Sequence, residues 1–207
     1  MINGNDSRPL GRRALLAQLA GVALSVTGLT AFRKFVPSAD YSSGEVARAK
    51  WDDHFELAVD LELATQEGTR THRPYVAVWV EDAAGRSVRT LTLWVNNTGR
   101  GPRYIRELRQ WFNISSTALT PGGTDLVATV SSATRLPGQY TVTWNGRDDR
   151  GELVEQGTYR IMIEASREHG TYQLMKQELT LATKPVAAEL PGNEEIGRAH
   201  VEFRRRK

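Results

Sequence analysis

The sequence predicts an all-β protein, an antiparallel β-sandwich of about seven short strands with one short amphipathic helix. Three observations carry that prediction. Apolar and polar residues alternate at period two through most of the chain from residue 53 to residue 183. Clusters of Gly, Pro, Asn and Asp punctuate these runs. Only the stretch around Tyr104 to Phe112 switches to helical spacing.

In the first strand Phe55, Leu57, Val59, Leu61 and Leu63 alternate with His54, Glu56, Ala58, Asp60 and Glu62, so one face is buried. Pro74 opens a second strand, Tyr75 to Glu81, which is apolar on both faces and therefore central in its sheet. Asp82-Ala83-Ala84-Gly85 is a hairpin turn into a third strand, Ser87 to Val95. Tyr104, Ile105, Leu108, Trp111 and Phe112 then form the apolar stripe of the helix, which packs on the sheet. Leu126 to Ser131 is a short strand. Tyr140, Val142 and Trp144 alternate with Thr141 and Thr143 in the next, before a polar turn from Asn145 to Gly151. Thr158 to Ala165 and Thr171 to Leu181 are the last two strands, joined through His169-Gly170.

The flanks read differently. Arg8, Arg12 and Arg13 precede an apolar run from Ala14 to Phe32, and no acidic residue lies between Ser7 and Ala39. Residues 1–37 therefore read as an export signal or an uncleaved anchor, and Arg12-Arg13 give it a twin-arginine look. That implies a periplasmic protein, or one anchored to the inner membrane and facing the periplasm. Residues 38–52 read as a linker, 53–183 as the sandwich, and 184–207, rich in Pro, Gly and charge, as a flexible basic tail.

The chain has 207 residues, 27 Lys plus Arg against 24 Asp plus Glu, for a net charge of +3. Met1 to Lys50 carries 7 basic and 3 acidic side chains, Trp51 to Thr183 carries 14 and 17, and Lys184 to Lys207 carries 6 and 4. The excess basicity sits at the ends, which argues against a nucleic-acid-binding body. The absence of cysteine excludes disulfides, thiolate zinc sites, cysteine-ligated iron–sulfur clusters and cysteine nucleophiles. The four histidines have no metal-ligand spacing.

Gly138 to Gly151, followed by Gly157-Thr158-Tyr159-Arg160, resembles the Ig-like domain of flagellar hook-capping proteins and related secreted modules. That makes the expected sandwich Ig-like and implies no chemistry. Pro74 to Asp82, Val88 to Trp94, Tyr104 to Trp111 and Glu164 to Gly170 occur in that order. Together they resemble the bacterial exported family called domain of unknown function 2271, over roughly Phe55 to Leu181. Its members are similar in context to PepSY-type membrane proteins and flavin transferases. The resemblance implies a non-catalytic accessory of a membrane-linked flavin or electron-transfer system, with covalently held FMN as a cofactor.

Flavin transfer to Thr uses a motif Asp-x-x-Ser/Thr-Gly-Ala-Thr. Here Ala128-Thr129-Val130-Ser131-Ser132-Ala133-Thr134 matches at Ser131, Ala133 and Thr134, with Ala128 in the Asp position and Ser132 in the Gly position. The resemblance makes Thr134 the attachment candidate. The plainer reading is a Ser/Thr-rich loop before the Pro137-Gly138 turn.

Asp148, Asp149 and Glu152 lack EF-hand spacing and read as turn stabilisers rather than calcium ligands. Glu164, Arg167, Glu168 and His169 form a polar cluster at a strand end, either an acid–base group or a hairpin salt-bridge network. No hydrolase constellation is present. The alternative function is a structural or binding module recognising another envelope protein or a glycan. Trp79, Trp94 and Trp111 are its candidate stacking surfaces, with core packing as their competing role.

Overall fold

The computed structural model describes residues 48–65, 72–118 and 129–206. Among these residues nine strands form two sheets. The strands are β1 (Phe55–Leu63), β2 (Tyr75–Asp82), β3 (Ser87–Trp94), β4 (Ser131–Ser132), β5 (Gly138–Trp144), β6 (Gly157–Ser166), β7 (Tyr172–Leu181), β8 (Val186–Pro191) and β9 (Ile196–Arg205). One sheet has the order β5-β1-β9-β8, the other β4-β3-β2-β6-β7. All pairings are antiparallel except β3 with β4. The all-β sandwich expected from the periodicity is therefore the observed class, and β2, apolar on both faces, does lie at the centre of its sheet.

The inward faces of the two sheets meet in a core that includes Leu57, Val59, Val78, Ile161, Leu181, Val201 and Phe203. A second apolar layer lies outside the five-stranded sheet. There Ile105, Leu108 and Trp111 pack on Tyr75, Ala77, Trp79, Leu93 and Met162. This explains why β2 is apolar on both faces: one meets the opposite sheet and the other meets helix. The helical segment is two pieces rather than one, a 3₁₀ helix η1 (Gly101–Glu107) and an α-helix α1 (Arg109–Ala118). The tight turn of η1 and the break at Leu108 keep the apolar side chains on the sheet.

Three sequence expectations need correction. The basic tail is not a tail. Residues 186–205 form β8 and β9, and β9 lies between β1 and β8 with Ala199, Val201 and Phe203 in the core. Its charges face outward and are met across the sheet: Arg198 by Glu62 at 3.0 Å, Arg204 by Glu56 at 3.0 Å. These two strands raise the count from about seven to nine. The linker also ends before residue 52. Trp51 is buried against Trp144 and Phe203, and its N–H donates to the Val154 carbonyl at 2.8 Å. Finally, of the expected strand Leu126 to Ser131, residues 126–128 lie outside the described residues, Thr129 and Val130 are helical, and Ser131 begins the two-residue β4.

Candidate functional site at the polar end of the sandwich

The two ends of the sandwich differ in chemistry. One is filled by rings, namely Trp51, Phe55, Trp144, Tyr159 and Phe203, with centroids 4.7 to 5.6 Å apart. Gly146, at φ 74°, turns the chain beside them, and a Cβ there would lie 2.1 Å from the Trp51 ring. The other end is held by the fully buried carboxylates Glu164 and Glu195 and the loops that engage them. Strand register sets this. Tyr75 opposes Ser166, Val76 opposes Trp94, and Trp94 opposes Ser132. The segments before β2, after β3, around β4 and between β6 and β7 therefore emerge together.

Three carboxylates organise this end. Glu195 is fully buried and receives the Arg167 guanidinium in a fork, Nε at 3.0 Å and Nη2 at 2.7 Å, together with the Thr171 hydroxyl. This ties the β8–β9 loop to the β6–β7 loop, across the two sheets. Glu164, also fully buried, accepts the backbone N–H groups of Gln110 at 2.9 Å and Trp111 at 2.8 Å. A strand carboxylate thus caps the start of α1, where the unpaired N–H groups and the helix dipole favour an acceptor. Burial raises the Glu164 pKa above its ordinary 4.5, and those amide bonds oppose the rise. Glu168 accepts the Tyr75 hydroxyl at 3.0 Å and lies 3.7 Å from His72 Nδ1. Burial first, and then Glu168, keep that tyrosine protonated well above its ordinary range.

His169 is the one non-glycine residue at positive φ among the described residues, at 55°. Its ring stands edge-on to Tyr104 at 5.6 Å, with Nε2 3.4 Å from the Tyr104 hydroxyl. Of the polar cluster read from the sequence, Arg167 and Glu168 are linked through His72, while Glu164 caps α1 and His169 meets Tyr104. Residues 72, 75, 104 and 195 join it from distant segments.

Ser131 and Thr134 lie at this same end. Ser131 and Ser132 are fixed in β4, with Asn97 Nδ2 donating to Ser131 Oγ at 3.0 Å. Ala133 is exposed and Thr134 half-exposed. Arg73 Nη1 lies 3.5 Å from the Thr134 carbonyl, and the Arg135 guanidinium sits 5.7 Å from the centre of the Trp94 ring. Thr134 is therefore half-exposed, with one arginine at its carbonyl and another next to it in the chain, stacked on Trp94. Ala128, in the Asp position of the motif, lies outside the described residues, as do Arg12 and Arg13.

The remaining candidates sort plainly. Asp148 accepts the backbone N–H groups of Arg150 and Glu152 at 2.9 Å each, and Asp149 lies 3.8 Å from Arg89, so both hold their turn. Trp79, Trp94 and Trp111 are 0%, 4% and 1% exposed, which removes them as sugar-stacking surfaces. On the outer face of the four-stranded sheet a row Thr141, Asp60, His200, Glu189 crosses all four strands and lines a depression of about 380 Å³. No sequence spacing announces that row.

Fold and rim define a two-sheet β-sandwich with a helical layer on one face and the fully buried carboxylates Glu164 and Glu195 at one end. The chain belongs to the family described as predicted periplasmic protein, domain of unknown function 2271, whose model matches residues 56–198. No curated protein and no solved structure matches the chain. Among the described residues no helix is long and apolar enough to cross a membrane.

Proposed function

We propose that this protein is an exported, non-catalytic accessory of a membrane-linked flavin or electron-transfer system, with Thr134 as a covalent FMN acceptor. Its partners are a flavin transferase and a PepSY-type membrane protein. The Arg12-Arg13 segment delivers it to the periplasm or anchors it at the inner membrane. The observation that carries the reading is the placement of Thr134. It follows an edge strand, it is half-exposed, Arg73 reaches its carbonyl, and Arg135 is the next residue. Bound FMN would supply one- and two-electron chemistry, while the sandwich would hold it at a rigid edge. The non-catalytic part rests on the buried carboxylates of the rim, Glu164 and Glu195, each engaged by amides or by arginine.

Expression with a flavin transferase, followed by intact-mass measurement, tests this. The expected result is an added FMN mass that Thr134→Ala abolishes and Ser131→Ala leaves in place. An unshifted mass, with a known acceptor modified in parallel, ends the flavin reading. A second reading is a module that recognises another envelope protein through the open polar face of the four-stranded sheet. The Thr141-Asp60-His200-Glu189 row favours it. A pull-down that returns assembly proteins, and loses them on Asp60→Ala with His200→Ala, would support it.

A further inference from the structure

The most conspicuous basic run of the sequence, Arg204 to Arg206, is engaged in the fold. Arg204 pairs with Glu56 and Glu202, Arg205 lies over Phe55, and Arg206 reaches the Asp53 carbonyl. A less conspicuous set is not engaged. Arg100, Arg103 and Arg106 are exposed, and no ion pair or side-chain hydrogen bond holds them among the described residues. Arg100 precedes η1 and the other two lie within it. In a 3₁₀ helix residues three apart eclipse one another, so Arg103 and Arg106 stand in one column about 6 Å apart along the axis. Arg109 continues the spacing into α1, its guanidinium 4.9 Å from the centre of the Tyr172 ring.

The next position in the series is Phe112, 37% exposed and one of three large apolar side chains left exposed among the described residues. The opposite side of the same layer, Ile105, Leu108 and Trp111, is committed to the sheet. From Asn96 to Ala118 the sole carboxylate is Glu107, against four arginines. The layer is therefore amphipathic in an uncommon sense. Its apolar side is fully used, and its outer side presents cations ending in an aromatic ring.

We propose that this outer side of η1 and α1 docks on a bilayer surface rich in anionic phospholipid. Arginines at headgroup level gain from the negative surface potential, and a ring at the boundary adds apolar contact. Phe112 favours lipid over an acidic protein, because it supplies the insertion that a purely electrostatic contact lacks. The inference rests on the proposed export for its setting, and on the η1–α1 layer alone for its chemistry. Such docking would hold the five-stranded sheet beside the membrane and leave the rim at Thr134 open.

Vesicle flotation of the full chain tests it, with phosphatidylcholine alone and with phosphatidylglycerol added, at low and high salt. Comparing the two lipids separates this contact from any made by the apolar run Ala14 to Phe32. The expected result is a phosphatidylglycerol-dependent gain in binding that fades with salt. Each arginine is worth about fivefold, so Arg100→Gln, Arg103→Gln and Arg106→Gln together cost on the order of a hundredfold of that gain. Phe112→Ser lowers it further, with binding to phosphatidylcholine unchanged. A control removes the same charge at exposed positions elsewhere, Arg150→Gln, Lys176→Gln and Lys184→Gln, and keeps most of the gain. Equal loss in the control, an undiminished gain in the arginine variant, or no gain from phosphatidylglycerol overturns the proposal. Because the lipid and mass experiments have separate readouts, either idea can fail alone.

Discussion

The aromatic end and the polar end of the sandwich solve the same problem by different chemistry. Each must close a gap between two sheets. At one end Trp51, Phe55, Trp144 and Phe203 fill it with rings, and the two indole N–H groups donate to backbone carbonyls, Trp51 to Phe55 at 3.2 Å and Trp144 to Arg147 at 2.7 Å. At the other, Glu195 and Arg167 fill it with an ion pair whose members satisfy each other. Rings gain from burial wherever they lie. A buried ion pair gains only while both members are present, because either charge alone is costly to bury. The aromatic end is therefore tolerant of chemistry and intolerant of lost volume, and the polar end the reverse.

The largest effect should come from removing the element that joins both ends. Truncation after Thr183 deletes β8 and β9, and with them Phe203 from the aromatic end and Glu195 from the polar end. The expected outcome is a chain without a cooperative thermal transition. Retention of a sharp melt would show that β9 is dispensable and that 184–207 is a tail after all.

Single substitutions then separate the ends. Trp51→Ala should cost about 3–5 kcal/mol through the cavity it leaves. Glu195→Ala should cost about 3–5 kcal/mol as well, by leaving the largely buried Arg167 guanidinium without its carboxylate. The distinction appears in the double variant. Glu195→Leu with Arg167→Met should recover most of the loss, since no unpaired charge remains. Denaturant melts of the three proteins measure this. If the double variant is as unstable as Glu195→Ala, the polar end depends on shape as much as on charge.

The same contrast governs what could be read in advance. β1, β3, β5, β6 and β7 are legible because each alternates along its own length, and β2 because its continuous apolar run is bounded by Pro74 and a turn, whatever they later pair with. In β9 the run from Ala199 to Phe203 alternates as well, but its outward charges and the Pro and Gly before it make the segment look like a tail. Those charges are neutralised by Glu56 and Glu62, 148 and 136 residues earlier. Trp51 was hidden by its polar neighbours Asp52 and Asp53. The polar rim shows the limit most clearly. Its cluster from Glu164 to His169 is contiguous and visible. Glu195 meets Arg167 across 28 residues, and Glu164 meets Gln110 across 54, pairings that only topology supplies. The arginine column needed the turn type of η1, since a period of three reads as ordinary helical scatter.

The smallest expected effect concerns Glu164, where burial and capping pull in opposite directions. Its pKa in the folded protein lies above the ordinary 4.5, with burial the leading cause. Between the unfolded value and the raised folded value the native state holds more protons than the unfolded one. The contribution of Glu164 to stability is thus fully present below about pH 4.5 and declines as pH rises through the folded value. Glu164→Gln cannot titrate, so the stability of the wild type minus that of the variant should fall with rising pH across this window. Melting both proteins in steps from pH 4 to pH 8, roughly spanning the carboxylate range, gives the difference directly. A difference that instead grows with pH would mean that the amides of Gln110 and Trp111 outweigh burial. The carboxylate would then be held ionised as a helix cap, and the polar end would draw stability from a buried charge that has no ion pair among the described residues.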